Sequence, residues 1–85
     1  MSDFTVAFER LFNIMLELRE KCPWDKKQTN ESLRYLTIEE CYELSDAILN
    51  KNDREIKEEL GDLILHVIFY SVIASEKNKF TLSDV

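Results

Sequence analysis

Residues 39–62 read Glu39-Glu40-Cys41-Tyr42-Glu43-Leu44-Ser45-Asp46-Ala47-Ile48-Leu49-Asn50-Lys51-Asn52-Asp53-Arg54-Glu55-Ile56-Lys57-Glu58-Glu59-Leu60-Gly61-Asp62, and this stretch decides the fold. The polar run Asn50-Lys51-Asn52-Asp53 makes a turn between two helices. Each helix carries two carboxylates three residues apart, Glu40 with Glu43 and Glu59 with Asp62. Such pairs share one side of a helix, about 5–6 Å apart at Cβ. If the helices pack antiparallel, the two pairs face each other. Four hard oxygen ligands then converge, the set that Mg²⁺ or Mn²⁺ prefers.

The competing reading is a solvated acidic face. At about 100° per residue, Glu39, Glu40, Glu43 and Asp46 fall in one arc, and Ile38, Cys41, Tyr42, Ser45, Ile48 and Leu49 fall opposite. That alone is an ordinary amphipathic helix. The following helix differs. From Leu60 to Ala74 it holds Asp62 as its one ionised group if His66 is neutral. A helix apolar all round is buried, and a buried carboxylate needs a partner or a cation. This favours the metal reading, with Glu40, Glu43, Glu59 and Asp62 as ligands.

Working outward, 85 residues suit one small domain, 45% of them hydrophobic. One helix without a solvent face predicts a homo-oligomer, most often a dimer. A net charge of −6 argues against a nucleic-acid surface. Met-Ser-Asp-Phe is no start for a signal peptide, and no run of 18 apolar residues occurs, so no membrane span is expected. Cys22 and Cys41 lack metal-site spacing and fit reduced thiols in a cytoplasmic protein. One Gly and one Pro leave little punctuation for strands, and the fold class is all-α.

A first helix is expected from Asp3 to Lys21, capped by Ser2 or Asp3, with Phe4, Ala7, Phe8, Leu11, Phe12, Met15 and Leu18 as a core stripe. Pro23 ends it, and Cys22 to Thr29 reads as a loop. There Trp24 has two roles open, a packing anchor or a platform for a nucleobase, while Lys26 and Lys27 read as solvated. A second helix spans Asn30 to Asn50. Thr37 and Glu40 have capping-box spacing, so either a fresh start near Leu36–Thr37 occupies Glu40 with backbone amides, or the helix runs on and Glu40 is free. Asn52 with Glu55 starts a third helix, Asp53 to Lys77. Gly61 inside it costs about 1 kcal/mol relative to Ala; close approach of another group and plain packing both account for it. His66 reads as a satisfied, buried histidine. Asn78-Lys79 is a turn, and Thr81 to Asp84 predicts a further helix opening at Val85.

Together, Cys22-Pro23-Trp24-Asp25, Gln28-Thr29, Leu33, Glu39-Glu40-x-x-Glu43, Glu59-x-x-Asp62 and the run Phe80 to Val85 resemble the MazG-type nucleotide pyrophosphohydrolases. The resemblance spans about Phe8 to Val85 and treats 1–85 as a single domain. It implies a helical hairpin core that completes a four-helix bundle through oligomerisation. It also implies Mg²⁺-dependent hydrolysis of nucleoside triphosphates to the monophosphate and pyrophosphate, without nucleic-acid or membrane partners. Glu40, Glu43, Glu59 and Asp62 match the family's Mg²⁺ ligands. Glu39 matches its extra acid, which with Glu43 is a candidate for orienting the attacking water. Trp24 falls in a loop placed near substrate, and Lys57 is one of the candidate phosphate contacts beside Lys26, Lys27, Arg34, Lys51 and Arg54. Family members continue past Val85 into another helix and a basic, histidine-containing segment, so the alternative expectation is a non-catalytic helical dimerisation module that retains an acidic metal site.

Overall fold

A computed structural model describes residues 2–85. It contains helices α1 (Asp3–Lys21), α2 (Pro23–Lys27), α3 (Asn30–Leu49) and α4 (Asp53–Glu76). No strand occurs among the described residues, as the composition predicted.

Local chemistry sets each boundary. Ser2 stands at the N-cap of α1, but its hydroxyl bonds Thr5 Oγ1 (2.7 Å) and caps no amide. The segment expected as a loop contains a one-turn helix, α2, with Pro23 at its first position, where a missing N–H costs nothing. Thr29 and Ser32 exchange the two bonds of a capping box, Ser32 N–H to Thr29 Oγ1 (3.1 Å) and Thr29 N–H to Ser32 Oγ (2.8 Å), which launches α3. α3 then runs unbroken through Thr37, whose hydroxyl turns back onto the Leu33 carbonyl (3.2 Å). The fresh start near Leu36 is therefore absent, and Glu40 is free of capping duty. Asn52 Oδ1 accepts the Glu55 amide (3.2 Å) to open α4. Between them Lys51 takes a left-handed conformation (φ 53°), and the Asn52 amide reaches the Ala47 carbonyl (3.0 Å) to close the tight connection. Thr81 and Asp84 exchange capping bonds, and the Asp84 and Val85 amides both reach the Thr81 carbonyl (3.0 and 3.3 Å), so the segment forms one turn.

α3 and α4 form an antiparallel hairpin, since residue 37 meets 66 and 70 while 40 and 43 approach 59. α1 lies against α4 and carries α2 at its end. The core gathers Met15, Leu33, Ile68, Phe69, Val72 and Ile73, with Leu11, Phe12, Leu36, Leu65, Tyr70 and Leu82 around it. It occupies the C-terminal half of α4.

Three expectations about faces are corrected. The row of α3 that loses solvent is Leu33, Leu36, Thr37, Glu40, Leu44 and Ala47, at three- and four-residue steps. Glu40 thus turns toward α4, whereas Tyr42 is 70% exposed and Ile38, Ile48 and Leu49 are also open. The apolar arc of α3 faces outward. On α4, Leu60, Ile64 and Val67 form an exposed stripe, so this helix is not sheathed all round in one chain. On α1, Leu11, Phe12 and Met15 reach the core, but Phe4 (78% exposed) and Phe8 do not. Gly61 borders open space, so nothing in a single chain demands glycine there.

Candidate metal centre

Because Glu40 belongs to the inward row of α3, and Glu43 follows one turn later, both meet Glu59 across the hairpin. One carboxylate oxygen from each of Glu40, Glu43 and Glu59 lies within 4.8 Å of the others. Glu40 and Glu59 are half-buried and Glu43 is exposed. Glu40 Oε2 and Glu59 Oε2 are buried with no hydrogen-bond partner. Burying a carboxylate oxygen without a donor is costly. Two such orphaned oxygens, on acceptor-only groups of one converging cluster, fit a hard divalent cation.

The electrostatics agree. The contact with Glu59 pulls the Glu40 carboxyl down, but burial and the charges of Asp62 and Glu43 outweigh it and raise the group above the usual Glu value. Glu43 is raised by its contact with Glu59 and by the Glu59 charge, with burial and the Glu39 charge adding. Glu59 is raised by its contact with Glu40, then by burial and the charges of Glu40 and Asp62. Crowded carboxylates resist full ionisation.

The remaining expected residues are placed less centrally. Asp62 is half-buried and outside the trio, though its charge is felt at Glu40, Glu59 and His66. Glu39 is exposed and acts on Glu43 through its charge. His66 is held by Thr37 Oγ1 at Nδ1 (2.7 Å), and burial lowers its pKa against the opposing charge of Asp62. Lys57 is exposed, two residues and so about 200° around the helix from Glu59. Trp24, also exposed, sits on α2. α2 is tied to Glu76 at the far end of α4, about 25 Å along the helix from Glu59 at 1.5 Å per residue. One chain does not bring Trp24 or Lys57 to the trio.

Two residues take a part in the packing that their sequence reading did not give them. The Arg19 guanidinium pairs with Glu76 through Nε (2.9 Å) and Nη2 (3.0 Å), and its Nη1 donates to the carbonyls of Asp25 (2.6 Å), Lys26 (3.0 Å) and Gln28 (2.9 Å). It also lies over the Phe69 ring. Its signal in the sequence is position: Phe12, Met15 and Arg19 continue one buried stripe, and a cation on such a stripe requires partners. Thr37 likewise falls on the inward row between Leu33 and Glu40.

Comparison with known proteins adds an independent line. The MazG nucleotide pyrophosphohydrolase domain matches residues 28–85. A Thermotoga maritima protein named nucleoside triphosphate pyrophosphohydrolase/pyrophosphatase MazG is 53% identical over 87 residues, covering 100% of this chain and 34% of the relative. The Escherichia coli K12 nucleoside triphosphate pyrophosphohydrolase is 41% identical, covering 91% of this chain and 30% of its own length. The uncharacterized protein YabN of Bacillus subtilis is 45% identical, over 92% of this chain and 16% of its own. The chain thus spans between 16% and 34% of the length of these relatives. With its all-helical fold, its paired acids across one hairpin and these matches, the chain belongs to the MazG nucleotide pyrophosphohydrolase domain family.

Proposed function

We propose that this chain is the cation-dependent catalytic domain of a nucleoside triphosphate pyrophosphohydrolase, converting NTPs or dNTPs to the monophosphate and pyrophosphate. The observation that carries the reading is the trio of carboxylates meeting across α3 and α4, with two buried oxygens lacking any donor. The names of the T. maritima and E. coli relatives support the substrate class. Glu40, Glu43 and Glu59, with Asp62 beside them, would hold Mg²⁺, and Mn²⁺ shares the same oxygen preference. A cation bound there neutralises phosphate oxygens and acidifies a bound water.

The chain's own groups supply the rest. Glu39 stands outside the trio, and is the carboxylate free to accept a proton from attacking water. Trp24 offers an exposed ring for a base to stack on. Because it lies far from the trio along α4 of its own chain, this stacking role requires the site of a neighbouring copy. Lys57, exposed and turned away from Glu59, would reach phosphate only across the same kind of boundary. Among the described residues no helix is long and apolar enough to cross a membrane. Free Cys22 and Cys41 suit a reducing cytoplasm.

The test is pyrophosphate release from a panel of ribo- and deoxyribonucleoside triphosphates, with Mg²⁺ and with EDTA. Mg²⁺-dependent release is expected, and the panel gives the preferred nucleotide. A folded chain that binds the cation but releases nothing would leave the non-catalytic helical module as the reading.

Association is part of the proposal. Phe4 and Phe8 on α1, Tyr42 and Leu49 on α3, and Leu60 and Ile64 on α4 are exposed together on a chain of 10.1 kDa. At about 25 cal/mol per Å², such faces favour pairing with a second copy into four-helix bundles. Sedimentation equilibrium at micromolar concentration is expected to give at least twice the chain mass, and a monomer would refute it.

A further inference from the structure

The contact between α3 and α4 has one polar node outside the acidic trio. Thr37 Oγ1 donates to its own helix at the Leu33 carbonyl (3.2 Å), meets His66 Nδ1 at 2.7 Å, and pairs closely with the Tyr70 hydroxyl. A threonine hydroxyl has one hydrogen and two lone pairs. All three contacts are hydrogen bonds in one arrangement only. The Thr37 hydrogen goes to Leu33, and Tyr70 O–H and His66 Nδ1–H both donate to Thr37. The node then has no spare donor or lone pair at its centre.

Its place in the hairpin matters. Thr37 lies one turn before Glu40 on α3, and His66 one turn after Asp62 on α4. On one side of the node is the apolar core of Leu33, Phe69 and Ile73. On the other side three carboxylates push α3 and α4 apart. A single hydroxyl gripped by two α4 residues one turn apart resists both sliding and rotation of the helices. We infer that Thr37 is a positioning residue: through His66 and Tyr70 it fixes the register of α3 against α4, so that Glu40 and Glu43 stand opposite Glu59 before any cation arrives. The inference rests on the metal reading above. Partners that orient ligands from outside the coordination sphere are worth roughly 10–100-fold in metal affinity.

The test uses Mn²⁺ alone as probe, with free Mn²⁺ read by electron paramagnetic resonance, on the whole chain and three variants. Thr37→Val keeps shape but removes the hydroxyl, and is expected to weaken Mn²⁺ binding about tenfold. Thr37→Ser keeps the hydroxyl and is expected to bind within about twofold of the unaltered chain, the margin left by ordinary scatter among conservative substitutions. Tyr70→Phe removes one arm, is isosteric in the core, and is expected to fall between them, which keeps the question open to test if Thr37→Val fails to fold. A merely structural node would lower the melting temperature of Thr37→Val and Tyr70→Phe while leaving Mn²⁺ affinity unchanged, and that result overturns the inference. Equal loss in Thr37→Ser and Thr37→Val overturns it too. Absence of Mn²⁺ binding by the unaltered chain would instead refute the metal reading on which it rests.

Discussion

Glu59→Gln is expected to make the cation-free protein more stable and the enzyme inactive. Glu59 touches Glu40 and Glu43 and has one buried oxygen without a donor. An amide in its place removes one charge from the crowd and supplies N–H donors to the orphaned oxygen of Glu40. The melting temperature in EDTA should rise by about 5 °C, the scale on which one satisfied hydrogen bond acts in a domain of this size. On the proposed metal reading, the same change removes a hard ligand. The several kcal/mol of charge stabilisation that a catalytic cation provides correspond to roughly a thousandfold in turnover, and Mg²⁺ should no longer raise the melting temperature. Stability gained where function is lost is the usual mark of a strained site.

The pH dependence gives this prediction its sign. Glu40, Glu43 and Glu59 are all raised above the usual Glu value of 4.5. A raised folded-state value stabilises below the unfolded value and loses that contribution as pH climbs through the folded one. The cation-free chain therefore weakens as pH rises from 4.5 upward. His66 opposes this, because its lowered value makes the fold lose stability as pH falls below 6.5. The difference between the unaltered chain and Glu59→Gln cancels His66 and isolates the carboxylates. That difference should widen with rising pH in EDTA and close when Mg²⁺ is added. A difference independent of pH would show that the three carboxylates do not repel one another.

Arg19→Ala should be the most destabilising single change outside the apolar core. The guanidinium is largely buried, with 16% of its side chain exposed, and it joins the end of α1, the carbonyls of α2 and Glu76 of α4. Hydrogen bonds to charged groups contribute about 1.5–3 kcal/mol each, and not all are lost to water. A net loss of about 3 kcal/mol, and so roughly 12–24 °C in melting temperature, is expected. Arg19→Lys should recover less than half, because an ammonium cannot present a fork to Glu76 and three carbonyls together. α2 amides should lose hydrogen-exchange protection before those of α3. A drop of only about 3 °C in Arg19→Ala would mean that α2 is held by something else.

Much of this architecture was legible in the sequence. The extents of α1 and α3 followed from period and the cap at Asn52 from capping chemistry, whereas the capping box that opens α3 at Thr29 and Ser32 was not read. The approach of Glu40, Glu43 and Glu59 followed from i, i+3 spacing on two helices joined by a tight turn, but Asp62, expected as a fourth member, stays outside the trio. What the sequence hid was direction. Ile38, Tyr42, Ile48 and Leu49 are the more apolar arc of α3, and ordinary amphipathic logic turns such an arc inward. The hairpin turns it outward and puts Glu40 inside, because the seam follows Leu33, Leu36, Thr37, Leu44 and Ala47. With Glu40 packed between the helices, the usual rule is inverted. Pro23 misled for a different reason, since it ends one helix and, without an amide to waste, begins another. Thr37 showed its capping spacing but not its cross-helix bonds, which exist only once His66 and Tyr70 are brought beside it.

α4 joins two unlike environments along one rod. Its C-terminal half, Ile68 to Ala74, is enclosed, whereas Asp53 to Val67 lies half-open beside carboxylates that repel. Opening of such a helix is local and graded. Its first turns should breathe on their own, hinged near the Thr37 node, while the last turns open only when the whole chain unfolds. A continuous helix thus behaves as an anchored lever, with its mobile arm at the end where chemistry is proposed.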